Sequence, residues 1–319
     1  MISRRTWLAT GVAGAGAALW AAGRPQPFRG IPSRVAVLKA PSYSVDLADT
    51  IARGLRECRI AVRGQRVLVK PNLVEFCAGV PVHTDASVLA ACVAALEAGG
   101  AAEVLIGEGP GHRRDTFGMA ETAGYRHSIV GFEQRFTDLN LDDVSMLPNV
   151  AGQARFYFPN TALGVDLIVS LAKMKTHHWA GATLSMKNLF GLVPGNVYGW
   201  PKNTLHFIGI DEAITGLYAA FPRTVGIVDG VVGMEGNGPI QGSARNSGVL
   251  VMGEDLAAVD ATCCRLMGID PAQIGYLSSR EVGGRAAEEA TIQVGEAWRP
   301  LRHDYALIRQ MQHLRLTLA

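Results

Sequence analysis

From Arg34 onward, short apolar runs alternate with amphipathic stretches. Six runs, RVAVLK, RVLVKPN, AEVLIGE, DLIVSLAK, TVGIVDG and SGVLVMG, are dominated by Val, Ile and Leu, as expected of strands buried on both faces. Helical spacing between them predicts helices over 45–58, 85–99, 116–124, 211–221 and 256–267. Thr84 or Asp85 can cap the second of these, and Gly99 with Gly100 can end it. The alternation predicts an α/β fold, a mainly parallel sheet flanked by helices. Over 131–160 the period breaks, and RFTDLNLDD and ARFYFPN read as short strands of a small antiparallel insertion. HDYALIRQMQHLRLTL has the spacing of a closing helix, which places a C-terminal closing segment at 296–319 after an α/β domain at 34–295.

The first 33 residues read differently. Arg4 and Arg5 precede an apolar, Gly/Ala-rich stretch from Trp7 to Ala22, and RPQPFRGIP follows as a Pro-rich linker. This segment resembles a twin-arginine export signal, with Trp7 where the usual pattern has Phe. It is short for a membrane span. No sharp cleavage site follows, so retention as an N-terminal membrane tether stays open. The resemblance implies passage through the twin-arginine export machinery as a folded protein, to a periplasmic or other extracytoplasmic location.

Composition narrows the function classes. The 319 residues are 48% hydrophobic and 18% charged, with a formal net charge of +2 and a pI near 8.3. No global excess of base supports a nucleic-acid partner, so any cation cluster is a local device. The five cysteines, Cys58, Cys77, Cys92, Cys263 and Cys264, contain no C-x-x-C pair. That argues against an intrinsic iron–sulfur cluster or a zinc ribbon built from sequence-local ligands.

In a parallel α/β sheet, ligands collect beyond the carboxyl ends of the strands. Those ends carry Lys70 and Asn72, then Glu108, then Lys173, Lys175 and His177, then Asp229, then Glu254 and Asp255. Side chains alternate along a strand, so K-x-K-x-H sends Lys173, Lys175 and His177 to one side. Two ammonium groups at that spacing repel unless an anion lies between them. The segment continues to Thr183, Ser185, Lys187 and Asn188, which add hydroxyls, another cation and an amide. His177 is the group able to exchange a proton near neutral pH with little pKa shift. Lys175 or Lys187 could act as a base if burial lowered its pKa. Lys70, Asn72, Lys173, Asn188 and His206 are candidate ligand contacts. In DGVVGMEGNGPIQG, Gly236, Asn237 and Gly238 could aim backbone N–H groups at an anion. Glu108, Asp229 and Glu235 are the carboxylates able to hold a divalent metal, although ion pairing with nearby lysines is the commoner fate of such groups.

The segments KPNL, TDASVLAACVAALEAGGAAEVLIGEGPG, SLAKMKTHHWAGATLSMKNLFGLVPG, IVDGVVGMEGNGP and VMGEDLAAVDATCCRLMGID occur in this order. Together they resemble a bacterial and archaeal family known as domain of unknown function 362. The family pattern falls on Lys70, Asn72, Thr84, Asp85, Glu108, Lys173, Lys175, His177, Lys187, Asn188, His206, Asp229, Glu235, Asn237, Asp255 and Asp260. Many relatives carry a ferredoxin-like cysteine cluster and are described as iron–sulfur proteins; this chain lacks that cluster, so intrinsic electron transfer is not expected of it. The reading that results is an exported enzyme binding a small phosphate- or carboxylate-bearing ligand. The alternative is a non-catalytic envelope protein that delivers an anionic ligand or cofactor to a redox partner.

Overall fold

The computed structural model describes residues 30–75 and 79–317. The twin-arginine segment and Cys77 lie outside the described residues. β1 (Ser33–Lys39), β2 (Arg66–Pro71), β3 (Glu103–Glu108), β4 (Phe136–Asp138), β7 (Leu167–His177), β9 (Thr224–Asn237), β10 (Gln241–Gly253) and β11 (Thr291–Gly295) form one sheet in the order β11-β1-β10-β9-β7-β2-β3-β4. A ninth strand, β8 (Gly181–Thr183), folds back on the end of β7. All these pairings are parallel except those of β10 with its two neighbours and of β8 with β7. The expected helix-flanked, mainly parallel sheet is therefore the fold.

Each sheet face carries its own core. Ala36, Leu38, Val67, Val69 and Leu171 meet the helices Leu47–Cys58 and Ala86–Ala98. Val35, Val37, Leu68, Ala172 and Met174 face the other way, toward the helices Ile210–Ala220 and Leu256–Leu266. Period-two alternation along β1 and β7 is what splits these sets. Asp85 caps the Ala86–Ala98 helix by accepting from Ser87 N, as its position predicts. Cys58, Cys92, Cys263 and Cys264 are buried and free.

The expected antiparallel insertion in the 131–160 stretch is β5 (Val144–Val150) with β6 (Gln153–Pro159), while Phe136–Asp138 joins the main sheet beside β3. Three expectations are corrected. The C-terminal segment forms a 3-10 turn, Arg309–Leu314, and isolated bridges at Leu307 and Arg315 in place of a closing α-helix. The Gly-rich stretch is largely a β-ribbon: β9 runs on to Asn237, and β10 starts at Gln241. Finally, β10 runs antiparallel, so Glu254 and Asp255 stand at the opposite rim from the other strand ends. There Asp255 caps the Leu256–Leu266 helix through Ala257 N and Ala258 N and lies 3.3 Å from Arg285.

Candidate functional site

The carboxyl end of β2 meets that of β3 in a buried ion pair. Lys70 Nζ donates to Glu108 Oε2, to Pro71 O at 2.8 Å and to Asn188 Oδ1 at 3.1 Å. Glu108 also accepts from Gly109 N at 2.8 Å and Leu73 N at 3.3 Å. Asn188 closes the knot, its Nδ2 donating to Lys70 O and Ser170 Oγ at 3.1 Å each, while Asn72 Nδ2 donates to Asn188 Oδ1. Both charges are almost fully covered, so each depends on the other and on these backbone partners.

Gly191 is required here because backbone passes directly over the pair. A Cβ at this position would lie 1.8 Å from Glu108 Oε1 and 2.6 Å from Lys70 Nζ. Gly191→Ala is expected to destabilise the fold by about 3 kcal/mol, the upper part of the range for overpacking. Urea unfolding checks this, and an unchanged midpoint would show that the pair can move aside.

On β7 the K-x-K-x-H side chains share the face that carries Val169 and Leu171 deeper in the strand, but they have three separate fates. Lys173 Nζ lies 2.8 Å from Asp229 Oδ2 and 2.8 Å from Tyr43 OH. Asp229 is held in turn by Asp85 N at 3.0 Å and Val231 N at 3.2 Å. The anion that Lys173 needs is thus supplied by the chain itself. Lys175 donates to Val82 O at 2.7 Å and Pro239 O at 3.3 Å. Burial, with Lys187 and Lys173 nearby, holds its pKa well below the ordinary lysine value. Neither Lys173 nor Lys175 reaches the wall of the cavity described next.

That cavity, about 630 Å³, opens beyond the ends of β2, β3 and β7. Lys70, Asn72, Glu108, His177, Lys187, Asn188, His206 and Asn237 line it, together with His178, Trp179, Thr183, Phe190 and Lys202. Lys187 sits on a one-turn helix, Ser185–Asn188, whose start is tied down by Asp260. The Asp260 carboxylate accepts from Ser185 N at 2.8 Å and Met186 N at 3.0 Å. Burial pushes the Asp260 carboxyl up to about 7. The Lys187 ammonium lies 4.6 Å from the centre of the Phe190 ring. Desolvation lowers its pKa to about 8. No carboxylate among the described residues pairs with it.

His177 does not match the proton carrier expected from its usual pKa. Its Nδ1 accepts from Trp179 N at 3.0 Å and Ala180 N at 3.1 Å, which places the ring proton on Nε2. Burial, then Lys187 and other neighbouring cations, pushes the pKa far down. The imidazole is therefore a fixed, neutral Nε2–H donor. Lys202, in the segment that also carries Trp200 and His206, is a further cation at the cavity wall. It is 3% exposed, and its Nζ donates to Gly109 O at 2.5 Å and Phe190 O at 3.4 Å. Burial lowers it to about 7, against the pull of Glu108. Asn72 Oδ1 and Thr183 Oγ1 are buried without a hydrogen-bond partner among the described residues.

The carboxylates Glu108, Asp229 and Glu235 do not form a metal site. Glu108 belongs to Lys70 and Asp229 to Lys173, while Glu235 accepts from Ala306 N at 2.9 Å near the end of β9. Among the described residues no group of three His, Cys, Asp or Glu could hold a metal. Gly236 and Gly238 do not form an anion nest. Gly236 N donates to Ala306 O at 2.8 Å, and Gly238 offers its carbonyl, which accepts from His178 N at 3.0 Å and lies 2.7 Å from His178 Nδ1.

Fold and site together define an α/β protein with a cation-lined cavity at the carboxyl rim of a mainly parallel sheet. The chain belongs to the family described as Domain of unknown function (DUF362), which matches residues 67–265. It is 30% identical over 227 residues to a thylakoid-associated protein of Synechocystis sp., covering 68% of each chain. Among solved structures it is similar to the lactate racemase apoprotein from Thermoanaerobacterium thermosaccharolyticum, with TM-score 0.45 and 13% identity over 76% of this chain and 61% of that one. A Thermotoga maritima protein is similar with TM-score 0.34 and 14% identity, over 75% of this chain and 59% of that one.

Proposed function

We propose that the cavity binds a small phosphate- or carboxylate-bearing ligand and that Lys187 donates a proton to it. The observation that carries this reading is the Lys187 ammonium, which stands at the cavity wall with an aromatic ring beside it and no carboxylate partner among the described residues. An anion there gains a charge-assisted contact without separating an existing ion pair. Asn188 is engaged with Lys70 and holds the floor, whereas the His177 Nε2–H, the Thr183 hydroxyl and Lys202 supply further donors. With its pKa at about 8, Lys187 is mostly charged near neutrality yet a much stronger acid than a solvated lysine. The neutral state of His177 favours a second reading, in which the ligand is held without chemistry for delivery to a partner.

Sulfate tests the anion site because its charge is constant across the relevant range. Sulfate affinity is expected to fall as pH rises through about 7 and about 8, where Lys202 and Lys187 lose their protons. The sign follows from sulfate preferring the protonated lysines, and calorimetric titration across that window checks it. Affinity that stays flat would remove Lys187 and Lys202 from the site.

The export reading rests on Arg4, Arg5 and the apolar stretch after them, and the thylakoid association of the Synechocystis relative supports an extracytoplasmic or membrane-associated location. Among the described residues no helix is long and apolar enough to cross a membrane.

A further inference from the structure

Beside its cations the cavity wall carries a run of rings. The rings of His177 and His178 are 4.9 Å apart at 19°, and those of Trp179 and His206 are 5.1 Å apart at 18°. His178 and Trp179 are themselves inclined by only 18°, at 6.4 Å. Four rings from β7, its following turn and the Asn203–Ile208 helix therefore follow one another along the wall, each inclined to the next by no more than 19°. Phe190, Leu205 and Ile240 extend this apolar lining. Trp179 is 62% exposed even though His206 stacks on it. Most of the largest side chain in the wall is thus left uncovered at the mouth.

The volume decides between two kinds of ligand. A free phosphate or carboxylate is only a few waters in size and would fill a small part of 630 Å³, a volume within the range of about 300–1,000 Å³ usual for pockets that take ligands with a substantial apolar body. We infer that the natural ligand is a planar, apolar-bodied anion, whose charged head meets Lys187 and Lys202 and whose ring system lies along the Trp179–His206 wall. This deepens the anion-site proposal and rests on it. Offset stacking on Trp179 and His206 supplies specificity for the body, and removing the indole surface from water adds affinity. The head chemistry common to phosphate and carboxylate is recognised by the lysines; the body is recognised by the rings.

The test uses matched probes with and without a ring system: inorganic phosphate against 1-naphthyl phosphate, and acetate against 1-naphthoate, titrated calorimetrically into the full chain. In at least one pair the aryl probe is expected to bind about tenfold or more tightly than its bare head. Trp179→Ala, at a mostly exposed position, is expected to shrink that preference to within about threefold and to leave the bare head's affinity in place. Equal binding of aryl and bare probes in both pairs overturns the inference while the anion site stands. An aryl preference that survives both Trp179→Ala and His206→Ala also overturns it, because the rings would then not be the binding wall. If none of the four probes binds, the anion-site reading falls together with this one.

Discussion

Replacing Glu108 with Ala is expected to lower folding stability by about 3–5 kcal/mol, the cost of stranding one partner of a buried ion pair. Lys70 is 0% exposed and would be left with Pro71 O and Asn188 Oδ1, neutral acceptors that cannot balance a cation. The variant keeps its fold only by shedding the Lys70 proton or admitting water. A double change, Lys70→Met with Glu108→Leu, removes both charges and is expected to recover most of the loss, since apolar replacements of buried pairs are often near neutral. Urea unfolding of the three proteins measures this. A loss below about 1 kcal/mol for Glu108→Ala would mean that the pair is solvated and behaves like a surface bridge.

Lys187→Met is expected to weaken sulfate binding by about 10- to 100-fold, corresponding to one lost charge-assisted contact. Stability should change little or rise, because the wild-type ammonium is desolvated without a counter-ion among the described residues. Lys173→Met makes the contrast. It leaves Asp229 without its cation partner and is expected to destabilise the protein, while sulfate affinity changes less than about threefold, since Lys173 is already neutralised at 2.8 Å and lies outside the cavity wall. Calorimetric titration combined with unfolding curves separates the two lysines. If both variants lost sulfate to the same degree, the cations of β7 and the following turn would have to share one anion.

The strand ends were legible because burial on both faces writes itself as runs of Val, Ile and Leu, and a parallel sheet gathers polar residues at one rim. The shared side of Lys173, Lys175 and His177 followed from parity alone. What those cations do was not legible. The partners of Lys70 and Lys173 stand 38 and 56 residues away, at Glu108 and Asp229, and although ion pairing is the commoner fate of such carboxylates, unknown strand order leaves a metal-ligand reading beside it and names no lysine for either. Asp255 misled for a related reason: its strand-end position is real, but nothing local reveals that β10 runs antiparallel. Glycine-rich β9 and β10 hold together by a backbone ladder, which leaves little side-chain pattern to read. Lys202 stands out in its loop as a cation among aromatics, but its backbone is left-handed, φ 64°, so no periodicity places its side chain in the cavity.

His177 shows how burial changes a residue's role without changing its identity. An exposed histidine would titrate near neutrality, whereas burial and then Lys187 and its neighbours keep this one neutral, with Nδ1 accepting from two backbone N–H groups. Desolvation acts on Lys187 in the opposite functional sense and brings a normally inert ammonium close to the working range of an acid catalyst.

Whether an anion seats against Lys187 in the cavity beyond β2, β3 and β7 can be seen in crystals soaked in selenate and measured at the selenium edge. An anomalous peak is expected inside the cavity, within hydrogen-bond reach of Lys187 Nζ, and is expected to disappear in Lys187→Met. A cavity without a peak, or a peak there that persists in Lys187→Met, would contradict that placement of the anion.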